Sequence, residues 1–292
     1  MIFSLHFLME VKKKSFVFQT KTIYFPPLGR KVNILLQHRD GPCMLIAIFN
    51  SLAIQGRVSI DSGIYPSSSI IEIIKSCNSD VHGLNKLVNG YYVNPSFSSC
   101  TDFQDYPDFL QKLNIQLVHA MTPSKKQKNY DIISKYNYDS MIVRLIDLQS
   151  EKPCSDELKA LRAWNSKLRK QVTTSGIEDI ESQIKEGEVQ IFFRNSHFAC
   201  IYKYLNHVYS LITCRGLGGK NCAWHSLPSA NGEFQYYDEN FNITFCQPWD
   251  SNSTKDKSKQ KQKSYNTSSS PEMKTEIKHK KQHAKNNDCT IF

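Results

Sequence analysis

Apolar residues recur at helical spacing after Pro42: Met44, Leu45, Ala47, Ile48, Leu52 and Ile54 line successive turns, and Gly56 supplies a C-terminal stop. Asp40 or Gly41 can cap the start, and Pro42 suits the first helical position, where its missing N–H would have had no partner. Cys43 is then expected in the first turn. Farther on, Val189-Gln190-Ile191-Phe192-Phe193 and His197-Phe198-Ala199-Cys200-Ile201-Tyr202 are rich in β-branched and aromatic residues and predict two strands, parted by the polar break Arg194-Asn195-Ser196. Residues 207–212 predict a third strand, which ends before Gly216, Gly218 and Gly219, and residues 32–36 predict a strand ahead of the helix. A helix followed by an antiparallel sheet is an α+β pattern, with Cys43 at the helix N-terminus and His197 at the start of a strand. No internal repeat is visible. Residues 1–250 are read as one folded domain and residues 251–292 as a disordered tail.

Composition adds little to that picture. With 40% hydrophobic and 22% charged residues the chain reads as a soluble globular protein. The apolar run 1–9 is broken by His6 and followed by Glu10-Val11-Lys12-Lys13-Lys14, so it lacks the length and cleavage site of a secretory signal and reads as an early strand. Nine cysteines, an odd number at irregular spacing, point to reduced thiols in the cytosol or nucleus. Cys214, Cys222 and His225 come nearest to a metal pattern, but they lack a usual zinc spacing and a clear fourth ligand, so no metal is expected.

Charge changes the picture at one end only. The formal net charge is +10, and residues 251–292, with ten lysines against four acidic residues, carry six of it. The basicity is therefore mainly a tail property. Between residues 251 and 285 the only aromatic is Tyr265, so the interleaving of bases and rings that binds single strands is missing and no nucleic-acid partner is expected.

The candidate chemistry starts from Cys43. A thiol attacks as thiolate, and a helix N-terminus favours that anion through its unpaired N–H groups. Taken alone, such a cysteine is more often inert packing. Gln37, a few residues upstream, can lend its side-chain amide to a developing oxyanion. A base must then reach the thiol, and a histidine entering a strand of the facing sheet is the arrangement thiol proteases use. Of nine histidines, His279 and His283 lie in the tail, His6 near the terminus and His38 next to Gln37; His82, His119, His207 and His225 read as surface or packing residues. His197 is the candidate base. Asn206, Thr213 and Asp238 are all open as the residue that orients it.

The run Gln37-His38-Arg39-Asp40-Gly41-Pro42-Cys43-Met44-Leu45-Ile46-Ala47-Ile48-Phe49-Asn50 resembles the nucleophile motif of the MINDY family of deubiquitinases. Residues 185–198, Lys-Glu-Gly-Glu-Val-Gln-Ile-Phe-Phe-Arg-Asn-Ser-His-Phe, resemble that family's histidine motif. Weaker similarity fills the space between, and Trp224-His225-Ser226-Leu227 is similar to the closing strand, so the resemblance covers about residues 20–245. It implies a papain-like cysteine protease fold and hydrolysis of isopeptide bonds in polyubiquitin, with preference for lysine-48 linkage. It also implies Cys43 as nucleophile, His197 as base and acid, Gln37 at the oxyanion, and substrate contacts by Phe193, Val93 and Asn195. No cofactor is implied. The chain departs from the family at His38-Arg39-Asp40, where an Asn-rich loop is usual, and at Met121, where a Trp is common; no acidic ubiquitin-interacting helix follows the domain. The altered loop motivates an alternative, a catalytically weak protein that binds ubiquitin chains.

The last four residues, Cys289-Thr290-Ile291-Phe292, fit a C-a-a-X pattern with a terminal Phe that favours geranylgeranylation. Lys278, Lys280, Lys281 and Lys285 would add attraction to anionic lipid. The expectation is a cytoplasmic protein with peripheral membrane association through this tail.

Overall fold

The computed structural model describes residues 16–38, 41–217 and 221–246. The early strand expected over residues 1–9, the cap candidate Asp40, and the tail with Cys289 lie outside them. The chain opens with β1 (Val17–Phe25) and β2 (Arg30–Leu35), joined through Gly29, whose φ of 61° turns the hairpin. Helix α1 (Cys43–Ile54) follows, then β3 (Ile64–Pro66), which pairs with β1 to complete a three-stranded sheet, and α2 (Ser67–Cys77). Next come the short pair β4 (Asn94–Pro95) and β5 (Phe103–Gln104), α3 (Asp108–Leu113) and β6 (Gln116–His119). Four helices lead on from β6: α4 (Tyr130–Ile133), α5 (Tyr138–Glu151), α6 (Asp156–Lys167) and α7 (Thr174–Gln183). The chain then forms β7 (Val189–Arg194), β8 (His197–Tyr204), β9 (His207–Leu211), β10 (Trp224–Ser226), β11 (Tyr236–Tyr237) and β12 (Ile243–Thr244).

Strands β12 to β6 lie in reverse chain order as one seven-stranded sheet, antiparallel except that β6 runs parallel to β7. A parallel neighbour requires a long crossover, and α4 to α7 supply it. The α+β class expected from sequence is the class observed. The two hairpins of β7–β8–β9 are tight: Arg194 pairs with His197 and Tyr204 with His207, leaving the two-residue turns Asn195-Ser196 and Leu205-Asn206. All four turn residues have φ between 50° and 63°, as a type I′ turn demands. Arg194, read from sequence as part of the break, is the last residue of β7.

Helix α1 is buried on every side from Met44 to Ile54, which explains its apolar run around the whole circumference. It packs between β2 and β8. Asn50 is its one strongly polar member, fully buried; its Oδ1 accepts from the Leu35 N–H at 2.7 Å and its Nδ2 donates to the Leu35 carbonyl at 3.0 Å. This pair of hydrogen bonds fixes the end of β2 against the helix two residues before Gln37. Asn50→Ala leaves a buried donor and acceptor without partners and is expected to cost about 2–4 kcal/mol, read as a lowered urea midpoint at unchanged slope.

Phe25 joins the small sheet to the large one, its ring 5.1 Å from Tyr202 and 6.0 Å from Trp224, with Phe241 stacked on Trp224 at 5.2 Å. Helix α7 comes so close to the end of β6 that a Cβ on Gly176 would stand 2.3 Å from the Ala120 carbonyl oxygen, so only glycine fits there.

The expectation of uniformly reduced thiols is corrected. Cys222 and Cys246 are bonded, with Cα atoms 5.9 Å apart, and Cys214 is also disulfide-bonded, while Cys43, Cys77, Cys100, Cys154 and Cys200 are free. Tertiary closure brings together residues 24 positions apart, which spacing in the sequence does not display. Among the described residues no helix is long and apolar enough to cross a membrane. Nor, among them, do three or more His, Cys, Asp or Glu side chains gather in a group that could hold a metal.

Candidate active site

Pro42 is the N-cap of α1 and Cys43 its first helical residue, one position from the sequence expectation. The thiol faces the start of β8. The Phe198 N–H hydrogen-bonds it, and this contact, with the N–H groups of Met44 and Cys43 itself, favours the thiolate; burial outweighs all three and pushes the thiol pKa above its usual value. His197 immediately precedes Phe198, so nucleophile and candidate base are brought together by the packing of the α1 N-terminus on β8.

Gln37 lies just past β2 and is clamped on both sides. Its N–H donates to the Thr213 carbonyl at 2.6 Å, its carbonyl accepts from the Arg215 N–H at 3.1 Å, and it bridges to Cys214 beyond the end of β9. Its side-chain Nε2 donates to the Gly41 carbonyl at 3.3 Å, across the turn that leads into Cys43. The amide is therefore held beside the nucleophile by backbone on two strands' ends. If this amide steadies an oxyanion, Gln37→Ala lowers kcat for acyl transfer by roughly a hundredfold with little change in KM, as steady-state kinetics would show.

His197 is half-buried, and burial lowers its pKa to about 4. With the thiol raised and the imidazole lowered, both groups are uncharged at neutral pH. Alkylation of Cys43 by iodoacetamide, followed by peptide mass spectrometry, should accordingly be slow at neutral pH and accelerate through a midpoint above that of a free thiol. Fast, pH-independent labelling from weakly acidic solution upward would instead report a preformed thiolate–imidazolium pair.

His225 on β10, expected from sequence to be a surface or packing residue, is a neighbour. It is buried, its Nδ1–H donates to the Ser226 carbonyl at 2.8 Å, and its pKa is lowered to about 4, first by burial and then by the charges of Arg194 and His197. Of the three residues left open as partners of His197, Asn206 sits in the turn at the far end of β8, an entire strand away. Asp238 is occupied in its own turn, accepting from the N–H groups of Asn240 and Asn242 at 2.8 and 2.9 Å. Thr213 stands at the site, its carbonyl engaged by Gln37.

Phe193 and Val93 are 7% and 3% exposed and belong to the apolar core, Phe193 with its ring 5.0 Å from Phe198. Their packing role is thus plain in the structure. Asn195 is half-buried in the β7–β8 turn, and its N–H donates to the Gln171 Oε1 at 2.7 Å. Sequence reading missed Asn50 and Gln171, which set the positions of Gln37 and of the turn before His197. An amide side chain in a helix whose only other polar residue after Cys43 is Ser51 was the available signal for Asn50; nothing local marks Gln171.

A thiol on a helix N-terminus, an imidazole on the adjoining strand and a side-chain amide beside the thiol are the parts of a thiol-dependent acyl-transfer site. The MINDY deubiquitinase family model matches residues 16–241, and the chain belongs to that family. It is 26% identical over 250 residues to the ubiquitin carboxyl-terminal hydrolase MINDY-1 of Pongo abelii, covering 76% of this chain and 53% of that protein. To MINDY-1 of Danio rerio it is 25% identical over 248 residues, 75% of this chain and 47% of that protein. To MINDY-2 of Bos taurus it is 25% identical over 240 residues, 72% and 38%. The chain spans about half the length, or less, of these relatives.

Proposed function

We propose that the chain is a cysteine-type deubiquitinase of papain-like design that hydrolyses isopeptide bonds in polyubiquitin, lysine-48-linked chains first. The observation that supports this reading is the packing of the Cys43 thiol against the N–H of Phe198, the residue that follows His197. In the first step His197 takes the thiol proton and Sγ attacks the carbonyl of the ubiquitin C-terminal glycine. The oxyanion gathers beside the Gln37 amide and the backbone N–H of Cys43, and His197 returns the proton to the departing lysine amine. Water, deprotonated by His197, then hydrolyses the thioester and frees the ubiquitin carboxylate. No cofactor enters.

Residues 1–250 form the catalytic unit of this proposal. Phe193, Val93 and Asn195 are its substrate contacts, which for the two buried side chains requires the surface around them to open on binding. Prenylation at Cys289, with the lysines ahead of it, would place the enzyme in the cytoplasm with part of it at membranes. Mass spectrometry of the native C-terminus decides that point, since an unmodified end at Phe292 rules it out.

The uncharged state of Cys43 and His197 favours one second reading, a chain-binding protein with weak turnover. Incubation of wild type and Cys43→Ala with chains of each linkage separates the two. Cleavage of lysine-48 chains by wild type alone supports the enzyme; retained chain binding with no cleavage of any linkage supports the binder.

A further inference from the structure

Arg194 ends β7 directly opposite His197, and it is 4% exposed. A guanidinium stays charged at any pH the fold survives, so its burial calls for an anionic partner. Its Nε donates to the Lys170 carbonyl at 2.8 Å, and none of the ion pairs among the described residues includes it. A second cation stands close by. The position a Cβ on Gly232 would take lies 3.8 Å from Arg194 Nη2 and 3.7 Å from Lys170 Nζ, and the glycine leaves that space open. Lys170 is exposed, so this end of the guanidinium reaches the surface. Glu233, which follows Gly232, is exposed and enters none of the ion pairs among the described residues. On the inner side the groups facing Arg194 are His225 and, across the hairpin, His197. The Arg194 charge already disfavours a proton on His225.

We propose that Arg194 and Lys170 form an anion site that takes a carboxylate or phosphate oxyanion behind the candidate catalytic histidine. The fork of the guanidinium suits two oxygens of such a group, and the ammonium adds a second charge at the rim. Binding itself does not depend on the deubiquitinase reading. Its consequence for catalysis does: Arg194 pairs with His197 across the hairpin, and an anion bound there would favour the imidazolium that His197 becomes when it takes the thiol proton.

Thermal unfolding of the full chain, in inorganic phosphate against sodium chloride at matched ionic strength, tests the site. Phosphate also raises Tm generally by exclusion from protein surfaces, so saturation and variants carry the decision. Wild type is expected to show a saturable rise in Tm, Arg194→Met to lose it, and Lys170→Met to shift half-saturation about tenfold upward, as the loss of one charged contact implies. Lys170 is exposed, so its variant decides the matter even if Arg194→Met fails to fold. An unsaturable rise in wild type, or equal saturable rises in wild type and both variants, overturns the proposal. Where polyubiquitin is hydrolysed, a KM that rises with phosphate marks the natural anion as a carboxylate of the substrate, and an unchanged KM marks it as a free ion. A protein that binds phosphate as expected but cleaves no chain retains this site while losing the proposed function.

Discussion

His197→Gln is expected to lower kcat for polyubiquitin hydrolysis by roughly a thousandfold or more while leaving chain binding within a few-fold. Gln keeps much of the volume and hydrogen-bonding capacity of the imidazole but can neither accept the thiol proton nor protonate the leaving amine. The site offers no substitute: the thiol is raised by burial, and the groups that favour its anion are fixed backbone N–H groups that cannot carry a proton away. His225 has its Nδ1–H committed to the Ser226 carbonyl and sits on β10, beyond β9. Stopped-time gels of chain cleavage, with binding measured in parallel on the same preparations, give both quantities. A variant that keeps a tenth or more of wild-type kcat would remove His197 from the role of base.

Mild acid is the second large effect. His119 and His225 are buried and both have pKa values lowered to about 4, in each case first by burial. His119 is held as a neutral ring, Nε2–H donating to the Asp102 carbonyl at 3.2 Å and Nδ1 accepting the Met121 N–H at 3.1 Å. Since the unfolded chain takes up these protons near pH 6.5 and the folded chain only near 4, their contribution to stability is complete above about pH 6.5 and is lost as pH falls toward 4. At pH 5 each costs about 2 kcal/mol, so denaturant midpoints should fall steeply between pH 7 and 5. A flat profile over that interval would show that one or both rings gain a proton without disturbing the fold.

The parts of the fold that sequence displayed were those in which side chains alone decide. Helix α1 announces itself through its apolar circumference and Pro42, and the β7–β8–β9 meander through its β-branched and aromatic strands. Cys43, Gln37 and His197 were legible because each sits at the boundary of one of these elements. Helices α5, α6 and α7 carried start signals that could have been read: Asn137 with Ser140 as a capping box, and N-caps at Ser155 and Thr173. Their apolar stripes are narrow and interrupted by charge, so hydrophobic periodicity does not display them. The strands β4, β5, β11 and β12 are two residues each, too short for any period to show.

Other features have no local signal at all. The clamp of Gln37 between Thr213 and Arg215, the Cys222–Cys246 bond and the tie from Asn195 to Gln171 join residues far apart in sequence. They exist only once the sheet has closed. The burial of Arg194 is of the same kind: alternation in β7 places it on the same face as Gln190 and Phe192, but its depth depends on the segments that carry Lys170 and Gly232.

The central claim is that the Cys43 thiol attacks the C-terminus of ubiquitin. The most direct test is to incubate the full chain with ubiquitin carrying an electrophile in place of its terminal carboxylate, and to map any adduct by peptide mass spectrometry. The account predicts one ubiquitin per chain, joined at Cys43, with the adduct lost in Cys43→Ala. Absence of an adduct, or attachment at another free thiol such as exposed Cys154 that persists in Cys43→Ala, would contradict it.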